Sequence, residues 1–513
     1  MNDWGDGYVT DIGYTYGYYG ELNPLAVEPA FLDAGLIAPK ITTACELGFG
    51  QGLSMNIHAA ASDVQWYGTD FNPSQAGFAA ELAAASGAAL KSFDQSFAEF
   101  CQRPDLPDFD YVGMHGVWSW ISDDNRKILV DFLRRKLKVG GVLYVGYNTQ
   151  PGWAAMAPMR DLLADHIAMH GGAGHGIASQ VDAALEFADR LLATNPTYAR
   201  ANPAIADRIK DMKGQSRSYI AHEYFNSDWA PMPFSKIAQW LSPAKLSFAC
   251  SANYLEHVDV INLTPDQQAL LKDISDPVFR ENVRNFMTNQ RFRRDYWVKG
   301  ARPRPALSSA EAWRAVRVVL IKPRADVVLK AKGMLGEAAL QEAAYGAILD
   351  VLADHKPHTV RQLEAALKDG KIAFSVIKEA MLILIGSGVL ALVQDDKIAA
   401  HAKARADRLN AHLCNLAYGS ADVNALASAV TGGAIGVDRL QQLFLAARSL
   451  GKKLPAEWAD FAMQILAAQG QRIVKDGKPL TTPEENQAEM AVRAREFGDK
   501  LLPILVRLGV AGQ

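Results

Sequence analysis

A glycine-rich turn is the first place in the sequence where residue types and spacing suggest chemistry. Its residues, Glu46-Leu47-Gly48-Phe49-Gly50-Gln51-Gly52, close a predicted strand and open a predicted helix. Glycines at such a junction bring bare backbone N–H groups close to a ligand at the positive end of the helix. A dinucleotide-binding loop has the spacing GxGxxG, but here the spacing is GxGxG and Leu53 takes the third glycine position. The turn therefore indicates a nucleotide-type ligand other than a dinucleotide, with a tight turn that binds nothing as the alternative.

Two aspartates follow the next two predicted strands. Asp70 ends the second strand and Asp94 ends the third. A carboxylate at the first position can accept hydrogen bonds from both hydroxyls of a ribose, and one at the second can accept from the amino group of an adenine. Each aspartate also precedes a predicted helix and by itself could be a helix cap. Because the carboxyl ends of parallel strands meet at one edge of a sheet, the turn and both aspartates together predict an adenosine-binding crevice.

Short apolar runs alternate with helical stretches from residue 41 to residue 147, which is the pattern of a parallel sheet covered by helices. The predicted strands are 41–47, 64–69, 88–93, 109–114 and 141–146. The predicted helices are 53–61, 72–86, 96–101 and 125–138, the last of them stopped by Gly140-Gly141. The expected fold class is therefore α/β, with a Rossmann-like first domain.

The pattern changes after Pro151-Gly152 to long alanine-rich amphipathic stretches at 155–170, 177–193 and 198–213, which predict a helical insert or lid. Two apolar runs at 246–251 and 258–263 predict an antiparallel strand pair at the edge of the sheet. Helical segments from 340 to 385, then Gly386-Ser387-Gly388, a strand at 389–393 and a polar wing at 394–397 outline a winged helix. The remaining chain from 402 is helical by pattern, with a break at 431–436.

At 513 residues the chain is longer than one hydrophobic core usually serves, so several domains are expected. We predict a ligand-binding domain at 1–265, with its helical insert at about 153–240. A linking or regulatory region follows at 266–335, then a winged-helix-like module at 336–400 and a C-terminal helical module at 401–513.

The overall composition is that of an ordinary soluble enzyme, with 49% hydrophobic residues and a formal net charge of -3. This charge gives no global attraction to nucleic acid or to an anionic membrane. The four cysteines, Cys45, Cys101, Cys250 and Cys414, form no CxxC pair, so we predict neither a metal site nor a disulfide framework and expect a cytoplasmic protein. The acidic, tyrosine-rich start of the chain and the lack of a long apolar run lead us to expect neither export nor membrane insertion.

Through the glycine turn, Asp70 and Asp94, the sequence resembles the class I S-adenosylmethionine-dependent methyltransferases. The resemblance implies S-adenosyl-L-methionine as cofactor and S-adenosyl-L-homocysteine as product. Asp70 would hold the ribose, Asp94 would read the adenine, and Phe71 would stack on the adenine unless it packs in the core. The cofactor-binding residues that the resemblance implies are Glu46, Gly48, Gly50, Gly52, Asp70, Phe71, Asp94 and His115.

A narrower resemblance is to bacterial methyltransferases with a so-called regulatory domain, a group that includes the rickettsial protein lysine methyltransferases. It rests on Tyr14-Thr15-Tyr16-Gly17-Tyr18-Tyr19, His115-Gly116-Val117-Trp118-Ser119-Trp120, Asn148-Thr149-Gln150-Pro151-Gly152-Trp153 and the region 219–300. Its specific motifs lie in the first 155 residues. It implies N-methylation of protein lysine as the activity and a homodimer as the assembly.

Methyl transfer from a sulfonium requires an aligned, neutral nucleophile. A lysine with a pKa of about 10.4 must lose its proton at pH 7, which costs roughly 4.6 kcal/mol, so its pocket should be partly desolvated and aromatic. His115, Trp118 and Trp120 follow the fourth strand, where acceptors sit in this fold class, and their rings could wall a lysine channel. The tryptophans could equally anchor the next helix, and His115 could be a general base or could simply bond a carbonyl group.

Four tyrosines, Tyr14, Tyr16, Tyr18 and Tyr19, precede the first strand and could fold over the cofactor as a cover, or pack on the domain surface or a partner subunit. Asn148 follows the fifth strand, where it could orient an acceptor amine or form a turn. The candidate catalytic residues are His115, Trp118, Tyr16 and Asn148.

Three other functions are consistent with the sequence. A small-molecule or glycan acceptor would fit if the insert closed over a compact substrate, and a non-enzymatic scaffold would bind the cofactor without transferring a methyl group. A nucleic-acid substrate draws on the winged-helix outline and on a basic, aromatic stretch made of Arg291, Phe292, Arg293, Arg294, Tyr296, Trp297, Lys299, Arg302 and Arg304. The mildly acidic chain, and His115-Gly116-Val117-Trp118 in place of an Asn/Asp-Pro-Pro-aromatic run, argue against that substrate.

Overall fold

The computed structural model describes residues 5, 7–10, 12–170 and 176–512. Its central feature is a seven-stranded sheet. The strands are β1 (Thr43–Leu47), β2 (Gln65–Asp70), β3 (Leu90–Asp94), β4 (Phe109–Met114), β5 (Leu137–Asn148), β6 (Leu246–Ser251) and β7 (Phe292–Lys299). Their order in the sheet is β3-β2-β1-β4-β5-β7-β6. Strands β1 to β5 pair in parallel, and β7 runs antiparallel to both β5 and β6.

Five helices precede or alternate with the parallel strands. They are α1 (Val27–Asp33), α2 (Leu53–Ala61), α3 (Pro73–Ser86), α4 (Phe97–Phe100) and α5 (Asp123–Lys136). Local signals explain where α3 begins and ends. The side chain of Asn72 accepts a hydrogen bond from the backbone N–H of Ser74 at 3.0 Å, Pro73 follows in the first turn, and Gly87 ends the helix in the left-handed region.

The prediction that Gly140-Gly141 stops α5 is wrong. The helix ends earlier and β5 begins directly after it, so both glycines lie inside the strand. The register of β5 against β4 slips between Phe109 and Tyr111, which places a bulge at this point. Gly140 has a φ of +83°, a conformation that glycine adopts readily where a strand bulges.

The stretch between β5 and β6 is helical, as the alanine-rich pattern predicts. Its helices are α6 (Ala157–His170), α7 (Ile177–Ala193), α8 (Thr197–Ala201), α9 (Ile205–Lys213), α10 (Arg217–Tyr224) and α11 (Phe234–Leu241). The single helix predicted at 198–213 is split into α8 and α9, because Pro203 interrupts it. Leu163, Leu185, Ile209 and Ile220 are buried together and give the first five of these helices a core of their own.

Of the two strands predicted at the sheet edge, only β6 is observed. Residues 258–263 instead contain the short helix α12 (Asp259–Asn262), which is followed by α13 (Pro265–Lys272) and α14 (Pro277–Thr288). Asn262 stabilises this turn, because its Nδ2 donates to the carbonyl oxygens of Leu255 at 2.6 Å and Val258 at 2.9 Å. The partner of β6 is β7, which lies in the basic stretch. The sheet therefore includes a strand that follows the end of the first domain predicted near residue 265.

A smaller mixed region follows the large sheet. It contains α15 (Ala306–Ala315), β8 (Arg317–Leu320), β9 (Lys330–Gly333), β10 (Gly336–Ala339), α16 (Ala347–Val351), β11 (His358–Thr359), α17 (Val360–Ala366), α18 (Phe374–Gly386) and β12 (Leu390–Leu392). The three predicted helical segments and the short strand are present, but the winged-helix outline is not confirmed. The middle strand of the sheet β11-β8-β12, β8, comes before the helices α16 to α18 in the chain. The residues predicted as a wing, 394–397, contain the start of a long helix instead. Asp395 caps this helix, because its side chain accepts a hydrogen bond from the N–H of Lys397 at 2.9 Å.

The C-terminal region is mainly helical. It contains α19 (Asp396–Leu416), β13 (Ala425–Ser428), β14 (Gly433–Gly436), α20 (Arg439–Ser449), α21 (Pro455–Ala468), β15 (Val474–Lys475), β16 (Lys478–Pro479), α22 (Pro483–Glu496) and α23 (Leu502–Arg507). The predicted break at 431–436 corresponds to the hairpin of β13 and β14. Helix α19 packs on α2 and α3, where the guanidinium of Arg408 donates to the carbonyl oxygen of Ser86 at 2.7 and 2.9 Å.

The predicted fold class is confirmed: a Rossmann-like sheet with a helical insert, followed by mostly helical C-terminal parts. In the described part of the chain, no helix combines the length and the apolar character needed to cross a membrane.

Candidate active site

A cavity of about 350 Å³ opens at the carboxyl ends of the parallel strands, the edge at which open α/β sheets bind their ligands. Its volume lies in the range of small-molecule sites. The glycine turn, the end of β2, the segments after β3 and β4, and the start of the chain all contribute to its wall. The lining residues include Tyr8, Tyr14, Gly48, Gly50, Asp70, Phe71, Gln75, Gln95, Ser96, Phe97, His115, Val117, Trp120 and Asp228.

The glycine turn keeps the cavity open. Gly48 has a φ of +69°, and a Cβ atom built on it would lie 2.6 Å from Cγ2 of Val117, so a side chain would both strain the backbone and fill the cavity wall. Gly50 lines the cavity next to it. Gly52 has another role, because a Cβ atom there would lie 2.6 Å from Cβ of Ala79 and would push α3 away.

Asp70 is held at the edge of the cavity by two backbone groups. The N–H of Gly50 donates to Oδ2 at 2.8 Å, and the N–H of Asn72 donates to Oδ1 at 3.0 Å. The residue is 7% exposed, and burial raises the pKa of its carboxyl to about 7 despite these hydrogen bonds. A carboxylate that fixes the glycine turn and still faces the cavity can accept hydrogen bonds from a bound polyol such as a ribose.

Glu46, the first residue of the turn motif, is buried behind the glycines. Its Oε2 atom has no hydrogen-bond partner in the part of the chain that is described. Burial, and then the charge of Asp70, raise the pKa of its carboxyl to about 8. A buried carboxyl of this kind destabilises the ligand-free fold when ionised and offers an acceptor to a cationic group of a ligand.

We expect Glu46→Gln to stabilise the ligand-free protein at alkaline pH. Because the pKa of Glu46 is raised by folding, the folded state retains a proton that the unfolded state loses, and stability falls as pH rises from 4.5 to about 8. Glutamine removes this penalty, so the gain in melting temperature should be near zero at pH 4 and largest above pH 8. Thermal unfolding of both proteins across this pH range tests it, and a gain that does not depend on pH would contradict the assignment.

Phe71 lies in the cavity wall, and its ring meets Tyr8 edge-on with ring centroids 5.7 Å apart. Asp94 pairs with Asp70 in the sheet register, but its side chain is exposed. The wall beyond β3 is formed by the next four residues, 95–98. The adenine-reading role of Asp94 therefore stays a prediction, while Gln95, whose side-chain amide has both acceptor and donor atoms, lies in the cavity wall.

His115 lies where the sequence places it, at the end of β4 and in the cavity wall. Its ring stacks on Tyr19 with centroids 3.8 Å apart, and its Nδ1 is 2.7 Å from the hydroxyl oxygen of Tyr144. Burial lowers the pKa of the imidazole to about 4, so the ring is neutral at physiological pH. His115 is thus a neutral hydrogen-bonding side chain clamped between aromatic rings.

The two tryptophans of the same segment have different positions. Trp120 lines the cavity, and its Nε1 donates to the carbonyl oxygen of Glu223 at 3.2 Å. Trp118 is fully buried, packs edge-on against Trp240, and belongs to the core between the sheet and α5. The Trp118 ring therefore does not wall the cavity, and its position does not support the catalytic role predicted for it, because the 3-10 turn Trp118–Trp120 directs this ring into the core.

We expect Trp118→Ala to lower the free energy of unfolding by about 3–5 kcal/mol, the usual effect of deleting a buried aromatic ring. The matched substitution Trp120→Ala removes the same side chain from the cavity wall, where the ring is 8% exposed. It should destabilise the protein less and weaken ligand binding more. Urea denaturation and calorimetric titration of both variants separate the two roles, and equal losses of stability would contradict them.

The four N-terminal tyrosines divide into two pairs. Tyr14 lines the cavity, and Tyr19 stacks on His115, which also lines it, so both lie next to the site and their role as a cover stays a prediction. Tyr16 packs edge-on against Phe78 of α3, with ring centroids 5.1 Å apart. The hydroxyl oxygen of Tyr18 accepts from the N–H of Ala434 at 3.0 Å, on β14. The position of Tyr16 does not support the catalytic role predicted for it.

Asn148 ends β5 and is almost fully buried. Its N–H donates to Oγ of Ser119 at 2.8 Å, and its side-chain Nδ2 lies 3.5 Å from Oε1 of Glu223 on α10. Burial raises the pKa of the Glu223 carboxyl to about 7, although two nearby arginines lower it. Tyr8 and Tyr14, which line the cavity, lie within the field of this carboxyl, and it raises the pKa of both phenols after the larger effect of burial.

Sequence reasoning missed Glu223, Tyr8, Gln95 and Ser96. Tyr8 precedes the tyrosine motif by six residues, and Gln95 and Ser96 directly follow Asp94, so a wider window around both motifs would have included them. Glu223 had no local signal, because its helix reaches the site only through the folding of the insert. Among the described residues, no group of histidine, cysteine or carboxylate side chains is arranged to hold a metal ion.

Sequence comparisons show to which family the chain belongs. An uncharacterized protein of Synechocystis, sll1526, is 36% identical over 513 residues, which cover 99% of this chain and all of the relative. Residues 216–299 match the family model of a predicted methyltransferase regulatory domain. The chain belongs to this family of methyltransferases with a regulatory domain. The matched region runs from the start of α10 to the end of β7, and therefore includes Glu223 and the last two strands of the sheet, β6 and β7.

Two rickettsial proteins are similar to this member of the methyltransferase family. The uncharacterized protein RP789 of Rickettsia prowazekii is 27% identical over 291 residues, covering 55% of this chain and 51% of the relative. The structure of PKMT2 from Rickettsia typhi in complex with AdoHcy superposes with a TM-score of 0.68, at 18% identity, and covers 97% of this chain and 99% of that one. The fold is thus shared over the whole length, including the C-terminal parts.

Proposed function

We propose that the protein is an S-adenosyl-L-methionine-dependent methyltransferase that methylates the side-chain amine of protein lysine. The observation that carries this proposal is the cavity beside the glycine turn, in which Asp70 both fixes the turn and faces the ligand space. The family match and the AdoHcy held by PKMT2 support the choice of cofactor.

The residues around the cavity fit this cofactor. Its ribose hydroxyls would meet Asp70, its adenine would lie against Phe71 near Gln95, and its methionine part would reach the open backbone at Gly48. The unpartnered Oε2 atom of Glu46 offers a hydrogen-bond acceptor near the turn, and a cationic group of the cofactor would favour the ionised form of this carboxyl, whose pKa burial raises to about 8. When bound, the cofactor supplies an electrophilic methyl group.

The acceptor end is aromatic and acidic, which suits an amine. Trp120 and Tyr14 line the cavity and offer rings to a lysine stem. Tyr19 stacks on His115, whose neutral ring does not repel an ammonium group. Glu223, with a pKa of about 7, can take the proton that the ammonium nitrogen must lose, and Asn148 orients that carboxyl. We infer that Glu223 is the proton acceptor for the lysine.

Label transfer tests the proposal. The purified protein is incubated with radiolabelled S-adenosyl-L-methionine and a fractionated bacterial lysate, with the Asp70→Ala variant as a control for the site. We expect the label in protein, stable to base and recovered as methyllysine after acid hydrolysis. Label in small molecules or glycans would support the alternative acceptor that the helical insert could enclose. Retained cofactor binding without any transfer would support a scaffold. The homodimer and the four-part division of the chain remain predictions.

A further inference from the structure

The basic stretch 291–304 is largely engaged inside the fold. Arg293 is buried in ion pairs with neighbouring carboxylates, and Arg294 pairs with Glu21 from the start of the chain. The ammonium of Lys299 donates to two backbone carbonyl oxygens at 2.7 Å each. These groups are unavailable to a nucleic acid. Arg291, which stands before β7 and is exposed, is different.

Arg291 and Arg208 of α9 share one aromatic ring. Their guanidinium carbons lie 5.8 Å and 5.7 Å from the ring centroid of the buried Trp153. Within residues 12–170 and 176–512, and in the described positions before them, neither guanidinium forms an ion pair with a carboxylate. Besides partial burial, repulsion from Arg208 lowers the pKa of Arg291. The two guanidinium groups repel each other and neither is ion-paired, although the Glu223 carboxyl acts on Arg291 from a longer distance, so a carboxylate bound directly to both would be favourable.

This arginine pair lies beside the acceptor end of the site. Arg208 donates a hydrogen bond to the hydroxyl of Tyr224, which follows Glu223 on α10. Both arginines lower the pKa of Glu223 without forming an ion pair with it. Tyr219, one turn earlier on the same helix, is 38% exposed and lies in the same field. The approach to Glu223 is therefore flanked by two cations and by exposed aromatic surface.

We propose that Arg208 and Arg291 bind a carboxylate of the acceptor protein, so that the enzyme prefers a lysine with an aspartate or glutamate close to it in sequence. This inference rests on the proposed lysine methylation. The planar guanidinium matches a carboxylate with two parallel hydrogen bonds, and the face of Trp153 restricts both side chains in advance. The lysine ammonium enters toward Glu223 while its acidic neighbour stays at the arginine pair, which separates the two charges of the substrate.

Matched peptides test the preference. Each peptide has a single lysine in a neutral background, with aspartate or its uncharged analogue asparagine placed at one of the four positions on either side. We expect kcat/KM for the best aspartate peptide to exceed that of its asparagine partner by at least roughly fivefold, mostly through KM. The ratio should fall toward one at high salt. An aspartate/asparagine ratio of one at every position would overturn the proposal.

Variants locate the effect. Arg291→Gln, at an exposed position, and Arg208→Gln/Arg291→Gln together should abolish the preference. Because each arginine lowers the pKa of Glu223, the variants are compared at alkaline pH, where the Glu223 carboxyl is ionised in all of them. Arg190→Gln is the matched control, because Arg190 is an exposed arginine of the same insert that contacts Phe187 instead of Trp153. Arg208→Gln alone also loses the bond to Tyr224, so its melting temperature is measured, and the single Arg291→Gln variant decides the question if the double variant unfolds. A preference that survives in Arg291→Gln would overturn the assignment.

A result against lysine methylation can be distinguished from a result against carboxylate binding by Arg208 and Arg291. If no peptide is methylated while S-adenosyl-L-homocysteine still binds, direct binding of the same labelled peptides is measured by fluorescence anisotropy. Tighter binding of the aspartate peptides to wild type than to Arg291→Gln would support the carboxylate site independently of catalysis. Equal binding by both proteins would refute it.

Discussion

Glu223→Gln should lower kcat for a lysine acceptor by roughly 100- to 10,000-fold, the usual contribution of a positioned general base. Glutamine keeps the size of the side chain and can still bond to Asn148, whose Nδ2 lies 3.5 Å from the carboxyl. It cannot take a proton from an ammonium group. Affinity for S-adenosyl-L-homocysteine should be unchanged, because Glu223 does not belong to the cofactor end of the cavity. Steady-state kinetics with a lysine peptide and calorimetric titration measure the two effects.

The pH profile distinguishes a base from a structural residue. The pKa of Glu223 is raised to about 7, so the active carboxylate is lost as pH falls through 7, and kcat should fall with it. In Glu223→Gln the fall in kcat around pH 7 should be absent. The remaining activity should increase gradually with pH as the pH approaches the pKa of the lysine itself. Asn148→Ala is the control for positioning: it should reduce kcat less and shift this fall in kcat to higher pH, because the donor that lowers the pKa of Glu223 is removed. An unchanged profile in Glu223→Gln would refute its role as proton acceptor.

Asp70→Ala should weaken the binding of S-adenosyl-L-homocysteine by roughly 10- to 150-fold, the loss that follows removal of a charged hydrogen-bond acceptor. The carboxylate also receives the N–H of Gly50 at 2.8 Å, so the variant loosens the glycine turn as well as losing the ribose contact. Calorimetric titration gives the affinity directly, and circular dichroism verifies the fold.

Asp94→Ala serves as the matched control for this prediction. It removes an aspartate at the paired position of the neighbouring strand, but its side chain is exposed and the cavity wall continues through Gln95. We expect less than roughly a threefold change in affinity, well below the effect of a buried charged acceptor. Unchanged affinity in Asp70→Ala, or an equal loss in both variants, would refute the ribose role of Asp70.

Local patterns predicted the cofactor half of the molecule well. The helix at 53–61 and the strand at 109–114 have the predicted bounds, because glycine turns and buried apolar runs mark their ends. The same signals located Asp70 and His115 at the cavity. Trp118 and Trp120 show the limit of this approach: they stand two residues apart in a 3-10 turn, and only packing decides which ring enters the core.

Long-range pairing could not be predicted from local sequence. β7 reads as a basic surface stretch, yet Arg293 and Asp295 are buried side by side, and the hydroxyl of Tyr147 on β5 donates to Asp295 at 2.6 Å. The charged residues of a buried ion pair make the strand sequence polar, so it resembles a surface strand. The residues that stabilise these charges in the fold lie far away in the sequence. Glu223 was missed for the same reason, because its partner Asn148 lies 75 residues away.

Helix α19 of the C-terminal region shares a hydrophobic core with α2 and α3 of the sheet domain, so the two parts of the chain do not form separate cores. Leu53 and Ile57 of α2 and Leu82 of α3 are buried in the same apolar cluster as Leu409 and Leu413 of α19. Tyr18 bonds to the β13–β14 hairpin, and its neighbour Tyr19 stacks on His115. A catalytic half cut off before α19 would expose the apolar side chains of α2 and α3 to solvent. It would also lose the hydrogen bond that holds Tyr18, next to Tyr19 at the site. Truncation, gene fission and domain shuffling should therefore be poorly tolerated between the sheet domain and the C-terminal region.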